Sequence, residues 1–416
     1  MPTPWSKVQP ELLAVTLAFV VTLDTDAATH TLSANASTAV AIDANYMVVG
    51  DDEDQILRIY DRRVDGPPIY QKDFTPNLGL TDLSPSGTIR EVDIEASVRI
   101  GNRIYWLGSH GNCGGCDPPG ELRPNRQRLF ATDIAGTGAG ATLSYVGRYD
   151  NLRRDLIAWD NTNGHRLGAR FLQLAASAAE GVPPETAARD GFNIEALCMA
   201  PTGAVAYIGF RSPLTPSSGR TNALIVPLLN LPQLVLGNPA PGPARFDQPI
   251  EMFLDRRGFR SLDSSSNGVV IVAGTTTNSG TFRLYTWSGA AGPPAYERQA
   301  SFTVNQPEGL IVEQPIATGA QVQLISEGGG DFKSQFVTLG PAIPELRGTL
   351  MAQSSFRFLI VGRPGGSYDV EAAEIGAPWG YISTVVIPPA GQTYWTNYNL
   401  PPNSRRLYRI RYPSRY

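Results

Sequence analysis

Three glutamates stand where apolar strand patterns begin: Glu95 in D-I-E-A, Glu195 in N-I-E-A and Glu308 in P-E-G. If the fold gathered them, like charges would raise one another's pKa and burial would raise it further. One carboxyl could then stay protonated near neutral pH as a general acid while another serves as base. A hard cation such as Ca2+ is the other device that makes clustered carboxylates tolerable. Asp51, Asp52 and Asp54, in the run D-D-E-D, would add oxygen ligands. Arg126, Arg211 and Arg260 offer guanidinium forks for a phosphate or carboxylate. His110, in G-S-H-G, is one of only three histidines and titrates near neutral pH when unperturbed. The expected set is therefore Glu95, Glu195, Glu308 and His110 for catalysis, the three arginines for substrate, and the three aspartates for metal. The plainer reading of each glutamate is a latch that accepts backbone N–H groups or pairs with an arginine of the next repeat. For D-D-E-D it is a solvated turn.

Other chemistries have little footing. Ser109 lacks a G-x-S-x-G setting, and no P-loop, dinucleotide fingerprint or H-E-x-x-H occurs. Cys113 and Cys116 form C-G-G-C, and Cys198 lies in an apolar run. The close pair suits a small disulfide loop in an exported protein. His110 with Cys113, Cys116 and Cys198 would be the alternative, a zinc set. A net charge of -4 gives no footprint for nucleic acid, and only the C-terminus is locally basic, with Arg405, Arg406, Arg409, Arg411 and Arg415.

What must position the acids is an all-β scaffold. Gly (42) and Pro (34) make up nearly a fifth of 416 residues, which suits many short strands separated by turns. The stretch Asn193 to Pro213 reads as two strands joined at Pro201-Thr202-Gly203, and Asp93 to His110 reads as a second copy. Weaker copies begin at Ser37, Arg260 and Pro307. Self-similarity at this spacing predicts a β-propeller of five or six blades spanning 29–348, whose acids converge on one channel mouth. The wide interval between the second and third copies leaves room for a sixth blade. T-H-T-L-S after the leader is a candidate strand to close the ring beside the last blade. The segment 150–190 reads as a helical insert, with Leu167, Phe171, Leu174 and Ala178 on one face of its second helix. Residues 349–416 read as a separate small β-sandwich. The apolar run Leu12 to Leu23 is too short to span a membrane and fits the core of a signal peptide over 1–28. A mature chain with no transmembrane helix, secreted, periplasmic or at the cell surface and monomeric, is the expectation.

Six pieces, in order, carry a family resemblance: A-S-T-A-V-A-I-D with V-V-G-D-D-E-D-Q-I-L-R-I-Y, V-D-I-E-A with Y-W-L-G-S-H-G, R-P-N-R-Q-R-L-F, N-I-E-A-L with Y-I-G-F-R-S-P, R-R-G-F-R-S-L-D, and Q-P-E-G-L. Over about residues 36–340 the chain resembles the bacterial exported propellers known as domain of unknown function 3616, related to the esterase-like domain of some phytases. That family usually has Glu-Gly where this chain has Glu95-Ala96 and Glu195-Ala196; only Glu308 keeps Gly309. The tail, ending Arg406-Leu407-Tyr408-Arg409, is similar to a short module common on exported bacterial proteins. The resemblance implies a fold and carries no settled reaction. It leaves two expectations: an ester or phosphoester hydrolase aided by calcium, or a non-catalytic protein holding an anionic small molecule, glycan or metal at the same mouth.

Overall fold

The computed structural model describes residues 26–236, 242–277, 279–291, 294–328, 330–343, 345–352, 355–362, 364–374, 378–397 and 406–411. The expected leader falls outside these residues except at its end. Ala28, counted with the leader, is the first residue of a strand, β1 (Ala28–His30).

Five four-stranded antiparallel sheets follow the repeat. The first holds β2 (Ala36–Ala41), β3 (Tyr46–Asp51), β4 (Ile56–Asp61) and β5 (Tyr70–Asp73). The second holds β6 (Ile94–Ile100), β7 (Arg103–Gly108), β8 (Leu129–Ala135) and β9 (Thr142–Tyr149). The third holds β10 (Asn193–Met199), β11 (Ala206–Ser212), β12 (Ala223–Leu228) and β13 (Ile250–Met252). The fourth holds β14 (Gly258–Ser265), β15 (Gly268–Gly274), β16 (Arg283–Trp287) and β17 (Tyr296–Glu297). The fifth takes β18 (Pro307–Ile311), β19 (Gln321–Ser326) and β20 (Phe332–Thr338), and β1 completes it by pairing with β20. The N-terminal strand thus closes the ring beside the last blade.

The innermost strands pack in cyclic order, β2 on β6, β6 on β10, β10 on β14, β14 on β18 and β18 back on β2. Between successive blades lie five apolar cores. Val48 and Leu57 meet Ile94 and Trp106 between the first two; Phe192, Ile194 and Phe210 meet Leu107 and Leu129 between the next. Phe259 and Ile271 pack on Ile225 and Cys198, Val270 and Leu284 on Leu324, and Ile325 and Phe332 on Met47 and Tyr60. Each blade buries both faces against neighbours, which is why the repeats form a ring rather than a stack. The described residues form five blades.

The interval that seemed wide enough for a sixth blade holds the insert instead. Its first helix, α1 (Leu152–Asn161), seats Leu152 and Leu156 in the core between blades two and three. The expected second helix shrinks to α2 (Leu174–Ser177). Residues 162–173 instead wrap the buried Asp160 carboxylate, which accepts from His165 Nε2 at 3.0 Å, Leu172 N at 3.0 Å and Leu174 N at 2.9 Å. Asn163, Arg166, Arg170 and Gln173 take left-handed φ of 60–63°, incompatible with a continuous helix. Leu167, placed on the apolar face by its spacing, is 44% exposed.

A C-terminal group of strands begins at Glu345. It pairs β21 (Glu345–Ala352), β22 (Ser355–Val361) and β25 (Gln392–Asn397) in one sheet. The other sheet holds β23 (Ser367–Glu374), β24 (Gly380–Val386) and β26 (Arg406–Arg411). Phe358, Ile360, Tyr368, Val370 and Ile387 form its own core. Among the described residues no helix is long and apolar enough to cross a membrane.

Candidate site at the channel mouth

The same irregularity recurs at the start of every inner strand. Where β2 pairs with β3, Ala36 faces Asp51 and Thr38 faces Gly50, so Ser37 has no partner. The register skips Glu95 between β6 and β7, Glu195 between β10 and β11, Arg260 between β14 and β15, and Glu308 between β18 and β19. Each is a β-bulge, which releases one residue from the ladder and re-aims its side chain. Ser37, Glu95, Glu195, Arg260 and Glu308 are therefore one structural position repeated five times. Arg211 is likewise skipped on the partner strand, between Phe210 and Ser212.

Glu95, Arg211, Arg260 and Glu308 line a cavity of about 280 Å3 at one end of the channel, together with Asp52, Glu53, Asp93, Arg126, Glu185, Asn193, Gln306 and Glu327. Seven carboxylates face three guanidiniums there. Every guanidinium is already taken. Arg126 reaches Glu91 at 2.8 Å and Asp93 at 3.0 Å. Arg211 reaches Glu195 at 2.8 Å and Glu185 at 3.6 Å. Arg260 joins Glu195 at 3.0 Å and also pairs with Glu308. The arginines expected to grip an incoming anion act as internal counter-charges, because acids outnumber them.

Glu195 and Glu308 are thus latched between blades, as their plainer reading supposed, and Glu195 also accepts from Asn193 Nδ2 at 2.9 Å. Glu95 differs. It is 8% exposed and, among the described residues, has no hydrogen bond or ion pair. One oxygen each from Asp52, Asp93 and Glu95 lies within 4.8 Å of the other two. Burial, reinforced by Glu195, Asp93 and Asp52, pushes the Glu95 carboxyl well above the usual range. Burial and the neighbouring Asp93 and Asp51 push Asp52 up to about 9. Asp93 is pushed up to about 6 by burial, which outweighs the pull of Arg126.

Two of the aspartates expected at a metal do not belong to this group. Asp51 is a turn organiser, accepting from Ser33 Oγ at 2.6 Å and Glu53 N at 2.9 Å. Asp54 caps the next strand, accepting from Ile56 N at 2.8 Å and pairing with Arg58 at 2.6 Å. Only Asp52 of the three lines the cavity. His110 is corrected too. It is fully buried behind the mouth, its Nδ1 bonded to Gly108 O at 2.8 Å, and burial lowers its pKa to about 4. A neutral imidazole sealed from the cavity cannot shuttle protons there. The zinc set falls as well: Cys113 and Cys116 form a disulfide, and Cys198 is buried within β10 opposite Tyr207.

Sequence reasoning passed over Asp93, Glu185 and Glu327. Asp93 sits two residues before the bulge, where blades three and five carry Asn193 and Gln306, so aligning the copies one step further back would have found it. Glu327 follows β19 where Asp52 follows β3. Glu185 belongs to the insert and leaves no signal in the repeat. Deeper along the channel the inner strands enclose a second cavity of about 190 Å3, where Thr38 and Ser97 share a 2.7 Å hydroxyl contact.

No family model matches the chain, and no curated protein is significantly similar to it.

Proposed function

We propose that this is an exported propeller whose mouth binds one divalent hard cation, calcium first, between Asp52, Asp93 and Glu95. The observation that carries the reading is Glu95, a buried acid without a hydrogen-bond or ion-pair partner among the described residues, facing two further carboxylates within 4.8 Å. An unpaired buried charge is costly, so the group must be either protonated or bound to a cation. Two oxygens on one calcium ion lie no more than about 5 Å apart, given metal–oxygen distances near 2.3–2.6 Å. The three carboxylates fit that limit and leave coordination positions for oxygens of water or a ligand. Arg126, Arg211 and Arg260 hold the surrounding acids in place and keep the excess negative charge finite.

This favours the binding alternative over a site for free anions. An excess of carboxylates repels a phosphoester that arrives without a metal. A hydrolase reading keeps one support, the raised proton affinity of Glu95, which suits a general acid beside the charge-paired Glu195 and Glu308. The resemblance to domain of unknown function 3616 supports the exported setting and is neutral between the two. Titration calorimetry of chelator-stripped protein with Ca2+ and Mg2+ tests the proposal. One calcium per chain is expected, lost in Asp93→Asn. Binding that survives Asp93→Asn and Glu95→Gln unchanged would remove the site.

A further inference from the structure

The C-G-G-C loop lies on the rim of the same cavity, with Gly114 and Gly115 in its wall. A Cβ on Gly114 would come within 2.3 Å of Glu185 Oε2, so the loop backbone rests directly on one of the mouth's acids. Both ends of the loop are fixed. Cys113 N donates to Glu121 O and Gly120 N to Cys113 O, each at 2.8 Å. Asn112 donates to Ala179 O and Val182 O, and its carbonyl accepts from Arg126, the residue that also holds Asp93. Between these anchors the backbone is open: Gly115, Asp117, Pro118 and Pro119 are exposed, Cys116 is half-buried, and Cys113 is buried.

The two sulfurs sit in different surroundings. Arg123 Nη2 lies 2.6 Å from Cys116 Sγ, and this guanidinium is itself buried and paired with Glu121 at 2.8 Å. A fixed cation beside a sulfur stabilises its thiolate, the form that attacks and leaves in exchange. Cys113 has no such partner among the described residues. A half-buried cysteine beside a cation, a buried cysteine and a two-glycine spacer are the elements of a thiol–disulfide exchange site.

We propose that Cys113–Cys116 is a reversible exchange site for a small thiol or dithiol reductant, and that its oxidation state sets the cation affinity of the mouth. The second half rests on the cation reading above. In the reducing direction an external thiolate attacks Cys116 Sγ, the disulfide breaks, and Cys113 leaves as a thiolate that takes a proton from water. A second reductant thiolate then attacks the external sulfur of the mixed disulfide and releases Cys116 as a thiolate beside Arg123. Two electrons pass to the protein and the two reductant thiols leave joined as a disulfide. With the ring open, residues 113–116 no longer form a fixed wall against Glu185. Water then enters, screening the carboxylates from the cation, and the wall must be ordered again on binding.

The test uses the full chain equilibrated in dithiothreitol redox buffers, with the thiols trapped by alkylation and counted by mass spectrometry. Calcium affinity is measured on the same samples. Expected are reversible opening of the disulfide, faster alkylation of Cys116 than Cys113 at pH 7, and about tenfold weaker calcium binding when reduced. Arg123→Gln should slow Cys116 alkylation at least about fivefold by raising its thiol pKa. The double variant Cys113→Ser/Cys116→Ser should bind calcium like the reduced wild type, indifferent to buffer potential. Equal calcium affinity in both redox states overturns control of the mouth. Equal alkylation of the two cysteines, unchanged by Arg123→Gln, overturns the exchange site. If neither state binds calcium, the cation reading fails and control of the mouth fails with it, while the alkylation rates still decide the exchange site.

Discussion

Replacing Glu95 by Gln should stabilise the metal-free protein and abolish its stabilisation by calcium. In the wild type at pH 7.5 without metal, Glu95 must either carry a charge beside Asp93 or take up a proton. Asp93, held near 6, is ionised at that pH, whereas Asp52, held near 9, is not. Two charges 4.8 Å apart, the limit within which these oxygens lie, repel by about 3 kcal/mol at an effective dielectric of about 20. Burial adds its own cost to that repulsion, so taking up a proton, about 4 kcal/mol for an ordinary glutamate at pH 7.5, is the cheaper course. Glu95→Gln removes that cost, raising Tm by about 4 °C at roughly 1 °C per kcal/mol for a chain of 416 residues. The gain must depend on pH with a definite sign. Glu95 has a raised folded pKa, so in the wild type the folded state binds more protons than the unfolded state above about pH 4 and loses stability as pH rises. The variant's advantage should therefore be small near pH 4 and grow toward neutrality. With calcium at a hundred times its Kd, the wild type gains about 2.7 kcal/mol and the variant nothing. Differential scanning calorimetry in chelator and in calcium, from pH 4 to 8, reads all of this. A variant less stable than wild type in chelator at pH 7.5, with an undiminished calcium response, would refute the reasoning.

Arg260→Met should leave Glu195 and Glu308, 2% and 6% exposed, without their shared counter-charge. The expected loss is about 3–5 kcal/mol by urea denaturation at pH 7.5, shrinking at pH 5 as the orphaned acids protonate. His30 and His110 are both held near pKa 4 by burial and stay neutral in the fold. Below about pH 6.5 the unfolded chain takes up protons that the folded chain refuses, so their contribution is lost between about pH 6.5 and 4. His30→Phe, stacked on Phe332 at 4.6 Å, should flatten that acid limb by calorimetry, offset by loss of the 2.9 Å contact to Ser334. Gly258→Ala would set a Cβ 2.0 Å from Arg211 O, where blade four meets blade three at the mouth. It should cost about 1–3 kcal/mol in urea denaturation, and calcium affinity should fall with it.

The ring was legible because the copies carry their own geometry. D-I-E-A, N-I-E-A and P-E-G mark three bulges, and the weaker copies at Ser37 and Arg260 mark the other two, so the converging position could be read before any coordinates. Blade number could not, since a long interval between copies looks alike whether it holds a blade or an insert. The second helix misled for a physical reason: the periodicity of Leu167, Phe171 and Leu174 is real, but a buried Asp160 recruits the backbone of residues 172 and 174 and outcompetes the helical ladder. The glutamates at the strand starts announced an acidic site, and whether each acid was paired was the part hidden from the sequence. Arg260 ties Glu195 to Glu308 across three blades and leaves Glu95 alone, a distinction set by tertiary neighbours and invisible in the nearly identical strings around Glu95 and Glu195.

The cation site itself is tested most directly by anomalous diffraction from crystals grown in chelator and then soaked in a calcium or terbium salt. The account predicts one strong peak in contact with carboxylate oxygens of Asp52, Asp93 and Glu95, absent from Glu95→Gln crystals treated alike. No peak at the mouth of the wild type, or a peak that persists in the variant, would contradict it.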